Sequence, residues 1–342
     1  MAEPRPALDE WRRLYEAAIR IKEVAPWEWM EEVDIFGVQN PETGELGFVS
    51  VMGMLGEHLA LALYQGAEGL QAFWEFEAIA DYAPPEALLG LPHLQASFED
   101  REYLSSEDRA VIKKLGLSFR GRQAWPLFRS YRPGFCPWYL EPAEARFLAH
   151  AVEQAADVTL RFRENPEILT TSEEDSYLVR VPREEDGALV WEDRVLKVPA
   201  PEPEPIPIPM DLDVLDEAKE LPRVRNLLEV DFFAVPAYIG EKGVRPFYPY
   251  MLLVVESESG LIVGTELLEP KPSLKEMWGR VPLTLLSQLV RLGIVPERIR
   301  VRTPFLCQML QPLAGELGLE VTASDTLPAL DEAKEELLET LI

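Results

Sequence analysis

Residues 250–267 read YMLLVVESESGLIVGTEL, and this stretch decides the fold of the C-terminal part of the chain. Tyr250–Glu256 and Leu261–Leu267 are two short runs rich in apolar and β-branched residues. Between them stands Glu258-Ser259-Gly260, a cluster of turn-forming residues. Two such runs joined by a short turn that contains glycine predict a β-hairpin.

The segments on either side of this hairpin predict alternating strands and helices. Ser273-Leu274-Lys275-Glu276 is a capping box that starts one helix, and Thr303-Pro304 supplies the N-cap and first residue of another. The other predicted elements are a helix at Asp213–Leu221, strands at Glu229–Val235, Arg298–Arg302 and Leu319–Thr322, and a final helix at Leu327–Leu341. The order β-β-β-α-β-α-β-α predicts an α/β domain over residues 211–342, built on a five-stranded mixed sheet.

This element order resembles the ribonuclease H and retroviral-integrase superfamily, over about a third of the chain. The whole chain also resembles bacterial proteins described only as domains of unknown function. That second resemblance rests on APWEWM (residues 25–30) and VQNPETGELGFVSVMGMLGE (38–57), which precede DFFAVP (231–236) and RPFYPYMLLVVESESGLIVG (245–264). It implies no activity.

Nucleases of this superfamily hold two Mg²⁺ ions with carboxylates from the first strand, the end of the fourth strand and the last helix. Asp231 matches the first place, and Asp331 with Glu335 could supply the third. The second place has no acid, because the fourth predicted strand ends in Arg300-Val301-Arg302-Thr303. We therefore expect a degenerate domain in which Asp231 pairs with an arginine of that strand. No cofactor is expected, and Mg²⁺ would be needed only if the enzyme alternative held.

A proline-rich segment separates this domain from the rest of the chain. Proline recurs at every second position in residues 199–209, which neither a helix interior nor a sheet ladder accepts. We expect residues 199–210 to form an extended linker about 30 Å long. Residues 1–198 before it predict an α+β domain, an antiparallel meander with helices, whose role the sequence does not indicate.

One segment of the first domain is basic in an acidic chain. Between Asp108 and Glu141 there is no acidic residue, but there are seven arginines and lysines interleaved with aromatic residues. Arginine and aromatic side chains together bind phosphates, carboxylates or unpaired bases. The candidate anion-binding residues are Arg120, Arg122, Trp125, Arg129 and Arg132. The alternative, which we favour, is that residues 109–139 dock on acids of the same chain, on the last helix or the turn at residues 184–186.

Composition bounds the location and the partners. The net charge of −27 argues against general binding to nucleic acid or to anionic membranes, and it suits a basic protein partner. Nucleic acid is therefore expected only through residues 109–139. Cys136 and Cys307 are too far apart in sequence to indicate a disulfide framework or a metal site. With no signal peptide and no run of about 18 apolar residues, we expect a cytoplasmic protein that does not enter a membrane.

Three functions follow from these observations. The first is a non-catalytic binding or scaffold protein with a degenerate ribonuclease H-like domain. The second is a metal-dependent nuclease or phosphoryl-transfer enzyme that uses Asp231, Asp331 and Glu335. The third is an acidic protein that mimics nucleic acid toward a basic partner. The missing acid near Thr303 favours the first function over the second.

Overall fold

A computed structural model describes residues 3–79, 90–202 and 204–341. By its internal contacts the chain divides into two compact units. The first unit holds the residues up to 202 apart from Gly134–Cys136. The second unit holds those three residues and the residues that follow 202. Pro203, in the proline-rich segment, lies outside the described residues.

The first unit is built on a seven-stranded sheet. In chain order its strands are β1 (Phe36–Gln39), β2 (Leu46–Met52), β3 (Ala60–Gln65), β4 (His93–Glu99), β5 (Trp125–Tyr131), β6 (Ser176–Glu185) and β7 (Ala188–Lys197). Their order across the sheet is β5-β4-β3-β2-β1-β6-β7. All neighbours are antiparallel except β1 and β6, which pair in parallel. The predicted antiparallel meander is present as part of this larger sheet.

In the described part of this unit, α-helices lie on both faces of the sheet. They are α1 (Leu8–Val24), α2 (Gly66–Glu77), α3 (Ser106–Leu115) and α4 (Pro142–Glu164). α1 and α4 bury apolar stripes, such as Leu14 and Ile21 of α1, against one face. α2 packs on the opposite face, where Leu70 and Phe73 lie in a second apolar cluster with Phe48. The first unit thus combines a sheet with helices, as the sequence predicted.

The second unit is built on a five-stranded sheet. Its strands are β8 (Arg223–Ala234), β9 (Tyr250–Glu256), β10 (Ile262–Leu268), β11 (Val295–Val301) and β12 (Glu320–Ala323). The order across the sheet is β10-β9-β8-β11-β12. β10, β9 and β8 pair antiparallel, whereas β8, β11 and β12 pair in parallel. The predicted hairpin and the predicted mixed sheet are confirmed, with β8 as the central strand.

Helices of the second unit lie on both faces of its sheet. They are α5 (Leu212–Lys219), α6 (Leu274–Leu292), α7 (Pro304–Leu317) and α8 (Pro328–Leu341). Leu228, Val230 and Phe232 of β8 share an apolar cluster with residues of α5, α6 and α7. On the other face, residues of α8 form a cluster with residues of β9, and Phe233 of β8 packs on it. Alternate residues of β8 therefore face opposite sets of helices, as the pleat of a strand requires.

The second half of the proline-rich segment lies against helix α6. The carbonyl oxygen of Pro207 occupies the space that a Cβ atom on Gly279 would need. Only glycine lets the two backbones approach this closely. Residue 279 is therefore a glycine for a steric reason, although it stands inside a helix.

Candidate functional site

Two acidic residues lie side by side on the central strand of the second unit. Glu229 and Asp231 are two residues apart on β8, so their side chains lie on the same face of the sheet, the face that α8 covers. Glu229 is 1% exposed and Asp231 is 4% exposed. Carboxylates this deeply buried require partners, because an unpaired buried charge is strongly destabilising.

The carboxylate of Asp231 is neutralised by two cations. Its Oδ2 atom lies 3.1 Å from Nζ of Lys334 on α8 and 3.9 Å from Nε of Arg302 just after β11. Its Oδ1 atom accepts a hydrogen bond from the N–H of Phe232 at 2.9 Å. The Lys334 ammonium also lies 3.5 Å from the centre of the Phe233 ring, a cation–π contact. The sequence analysis expected an arginine partner, but the nearer cation is the lysine.

The other acids proposed for a metal site do not join Asp231. Asp331 on α8 forms an ion pair with Arg302, which also donates a hydrogen bond to the carbonyl of Asp325 at 2.9 Å. Glu335 is exposed. Over residues 3–79, 90–202 and 204–341, no group of three or more His, Cys, Asp or Glu side chains is placed to hold a metal ion. The residues present around Asp231 therefore fit an ion-pair network and do not fit a two-metal site.

Glu229 is a residue of this site that the sequence analysis did not single out. Its Oε2 atom accepts a hydrogen bond from the N–H of Leu330, in the first turn of α8, at 3.0 Å. Its Oε1 atom accepts a hydrogen bond from the hydroxyl of Ser257 at 3.1 Å and lies 3.8 Å from Nη1 of Arg300. A carboxylate at a helix N-terminus satisfies a free N–H and interacts favourably with the helix dipole. Two acids at alternate positions of an apolar strand were the signal that could have revealed the pair.

Two arginines of the basic segment have acidic partners in the same unit. Arg129 on β5 forms a bidentate ion pair with Asp108 of α3, with hydrogen bonds of 2.7 and 3.0 Å. Burial alone would raise the pKa of Asp108, but the contacts with Arg129 and Ser105 hold that pKa below its usual value. Arg132 pairs with acids at the start of α4, which lie at 2.6 and 2.9 Å. These two arginines thus pair with acids of α3 and at the start of α4, and not with acids of the last helix or of residues 184–186, the two places that the sequence suggested.

The remaining candidates of the segment are arranged differently. Arg120 and Arg122 are exposed in the connection between α3 and β5, and neither forms an ion pair with a described residue. Trp125 is half-buried and packs its ring against Phe119, with the ring centres 5.8 Å apart. The five residues proposed from the sequence as one anion site therefore do not converge on one point, and only the two exposed arginines keep their charges available.

In the part of the chain that the structure describes, every helix is too short or too polar to cross a membrane.

Comparisons with known proteins give families but no activity. Residues 11–180 match the family "Domain of unknown function (DUF7309)", and residues 214–338 match "Domain of unknown function (DUF6930)". No curated protein matches the chain. Among solved structures there is a likeness to the catalytic core domain of BIV integrase, at 13% identity and a TM-score of 0.22. It covers 34% of this chain and 68% of the integrase chain. A likeness at that score does not establish a shared fold. The chain is thus similar, over residues 11–180 and 214–338, to two families of domains whose function is unknown.

Proposed function

We propose that this chain is a non-catalytic binding or scaffold protein, whose second unit is a degenerate ribonuclease H-like domain. The observation that carries the proposal is the ammonium group of Lys334, 3.1 Å from the carboxylate of Asp231. A cation stands where a metal-dependent nuclease of this superfamily would need a divalent ion.

The arrangement of strands and helices supports the ribonuclease H-like assignment. The order along the chain is three strands followed by two helix–strand pairs and a final helix, as in that superfamily. The central strand, β8, is the first strand of the second unit and carries Asp231. The last helix lies beside it and contributes Lys334. The contact between Asp231 and Lys334 of the last helix supports the proposal of a degenerate domain, because in that superfamily the first strand and the last helix would supply carboxylates.

Electrostatics oppose a divalent ion at this place. Two Mg²⁺ ions about 4 Å apart need several carboxylates that converge on an open cleft. Here Asp231 is already paired, and Asp331 is engaged by Arg302. An ion next to Asp231 would lie close to two positive side chains that are themselves partly buried. The enzyme alternative would require both cations to move away from Asp231.

Calorimetric titration of the full chain with MgCl₂ and MnCl₂ tests the proposal. We expect only weak, non-specific binding of the metal ions, of the kind that a net charge of −27 produces. Asp231→Asn should bind the ions equally weakly. The control Asp216→Asn removes an equal charge from an exposed position on α5. Saturable Mn²⁺ binding that is lost in Asp231→Asn and kept in Asp216→Asn would overturn the proposal. So would cleavage of RNA or DNA that requires Asp231.

We also propose that residues 1–198 and 211–342 are two domains and that residues 199–210 are the linker between them. We further propose that the protein is bacterial and cytoplasmic. The two cysteines, both free and half-buried, suit a reducing compartment. We also propose that its partner is a basic protein, which the net charge of −27 supports. Crosslinking followed by mass spectrometry of cells that express the chain would identify such a partner.

A further inference from the structure

A cavity of about 410 Å³ lies in the first unit between α1, α3 and β5. Its walls are mostly apolar and aromatic, formed by Pro6, Leu8, Trp11, Val111 and Phe128 among others. Cavities of roughly 300–1,000 Å³ with apolar walls and a few polar groups are typical of small-molecule sites. The size and the lining of this cavity are therefore those of a site for a small organic ligand.

Tyr15 of α1 provides a hydrogen-bonding group at the cavity that lacks a protein partner. The residue is only 2% exposed, yet its hydroxyl forms no hydrogen bond with any described residue. The ring is fixed by an edge-on contact with Phe128, whose centre lies 5.0 Å away. Burial raises the pKa of Tyr15 well above its usual value, so its hydroxyl carries a proton at neutral pH. Tyr15 is one of the residues that line the cavity. Its hydroxyl is available to a polar atom of a ligand.

The charges around the cavity leave a positive group unpaired. Glu107 is paired with Arg5 at 3.3 Å, and Asp108 is paired with Arg129 at 2.7 Å. Lys114, which also lines the cavity, is exposed and forms no ion pair with a described residue. Each acid at the cavity is therefore neutralised, whereas one ammonium group is not. Because the chain as a whole carries a net charge of −27 and salt screens distant charges, the ammonium group of Lys114 attracts an anion only over a short range.

The aromatic rings determine the shape of ligand that the cavity accepts. Trp11 is half-buried, and its ring centre lies 6.0 Å from that of Phe128 and 6.3 Å from that of Tyr15. The guanidinium of Arg5 is held 4.1 Å above the Tyr139 ring at the edge of the cavity. Flat ligands gain most from such walls, because aromatic groups pack well in offset or edge-on contacts.

We propose that this cavity binds a small aromatic anion, such as an aromatic carboxylate. Its ring would pack against Trp11 and Phe128, and its acidic group would lie near Lys114. One oxygen of that acidic group would accept a hydrogen bond from the hydroxyl of Tyr15. This site is separate from the acid pair of β8, and it gives the first unit a binding role.

The test uses the full chain and two probes that differ in charge. 2-Naphthoate is an aromatic anion, and 2-naphthylmethylammonium has a similar ring with a positive charge. We expect saturable binding of one 2-naphthoate per chain in calorimetry and at least tenfold weaker binding of the cation. Because the net charge of the chain would favour the cation by itself, the expected preference for the anion reports the local site.

Variants of three residues separate the site from the general surface. Lys114→Gln should weaken 2-naphthoate binding about tenfold, since a charge-assisted contact is lost. Tyr15→Phe should weaken it about fivefold. Lys113→Gln removes the same charge from the adjacent exposed residue of α3, which does not line the cavity, and should leave binding unchanged. Near-UV circular dichroism establishes that each variant is folded.

Three outcomes would overturn the proposal. One is the absence of saturable binding of 2-naphthoate up to millimolar concentration. Another is equal or stronger binding of the cationic probe. The last is binding that both Lys114→Gln and Tyr15→Phe leave unchanged, because the ligand would then occupy a different place.

Discussion

Replacement of Lys334 by methionine should loosen the second unit around its central strand. The side chain of Asp231 is 6% exposed, and Lys334→Met removes the cation 3.1 Å from its Oδ2 atom. The guanidinium of Arg302, 3.9 Å away, would be the remaining partner. With an effective dielectric constant of 20, the two cations attract the carboxylate by about 5 and about 4 kcal/mol, before desolvation is subtracted.

The net loss is smaller than the attraction that is removed. Breaking a fully buried ion pair by removal of one partner costs about 3–5 kcal/mol. Here Lys334 keeps 27% of its side chain exposed and a second cation remains, so we expect a destabilisation of about 2 kcal/mol. The double variant Asp231→Asn with Lys334→Met should be more stable than the sum of the single effects predicts, by about 1.5 kcal/mol.

Amide hydrogen exchange measured by mass spectrometry is the suitable assay. A chain of two units need not unfold in one step, so the exchange of peptides from β8 and α8 reports the relevant free energy directly. Lys219→Met is the control, because Lys219 forms an exposed ion pair with Glu316 in the same unit, and exposed ion pairs contribute little to stability. Equal protection of the β8 amides from exchange in Lys334→Met and Lys219→Met would contradict this prediction. So would a double variant whose destabilisation equals the sum of the two single effects.

Three further predictions concern both units. Arg129→Met should destabilise the first unit by about 3 kcal/mol in thermal unfolding because it leaves a buried α3 carboxylate unpaired, whereas the exposed Arg122→Met should change stability by less than about 0.5 kcal/mol. Burial and a neighbouring arginine lower the pKa of His150 to about 4. The free energy of unfolding of the first unit should therefore fall by about 1 kcal/mol as the pH drops from 7 to 5, because the unfolded chain binds a proton that the folded chain does not. His150→Gln should abolish this dependence on pH. An undiminished slope in that variant would assign the effect to another group. Gly279→Ala should destabilise the second unit by about 2 kcal/mol, because the added Cβ atom clashes with the proline-rich segment. Gly315 has open space around it, so Gly315→Ala should be neutral or stabilising. Equal melting temperatures for the two variants would contradict the steric argument.

Local sequence signals located most of the helices and strands. The capping residues Ser273 and Thr303 predicted where α6 and α7 begin, because an N-cap depends on the residues of one helical turn. The exception is β5, whose positive charges and aromatic residues led us to treat it as a binding segment. Its alternate residues Pro126, Phe128 and Ser130 are buried, and this period of two was the signal for a strand.

The charges of the candidate site were less accessible to sequence reasoning than the fold. The sequence showed that Asp231 needed a partner and that the fourth strand of its domain carried arginines. It did not show that Lys334, 103 residues away, would lie nearer than those arginines. Which charges meet across such a separation depends on the docking angle of α8, and no local pattern determines that angle. The same limit applies to Glu229, whose partner Leu330 is a backbone group.

The hydrogen bond from Leu330 to Glu229 spans 101 residues, and this distance has a consequence for the order of folding. Closing so long a loop is entropically costly, so the contact should form late, after the sheet has assembled around its central strand. Until α8 arrives, both carboxylates of that strand would face solvent on an uncovered side of the sheet. A nascent second unit would therefore pass through a stage with an acidic, open face, and the arrival of α8 would complete it.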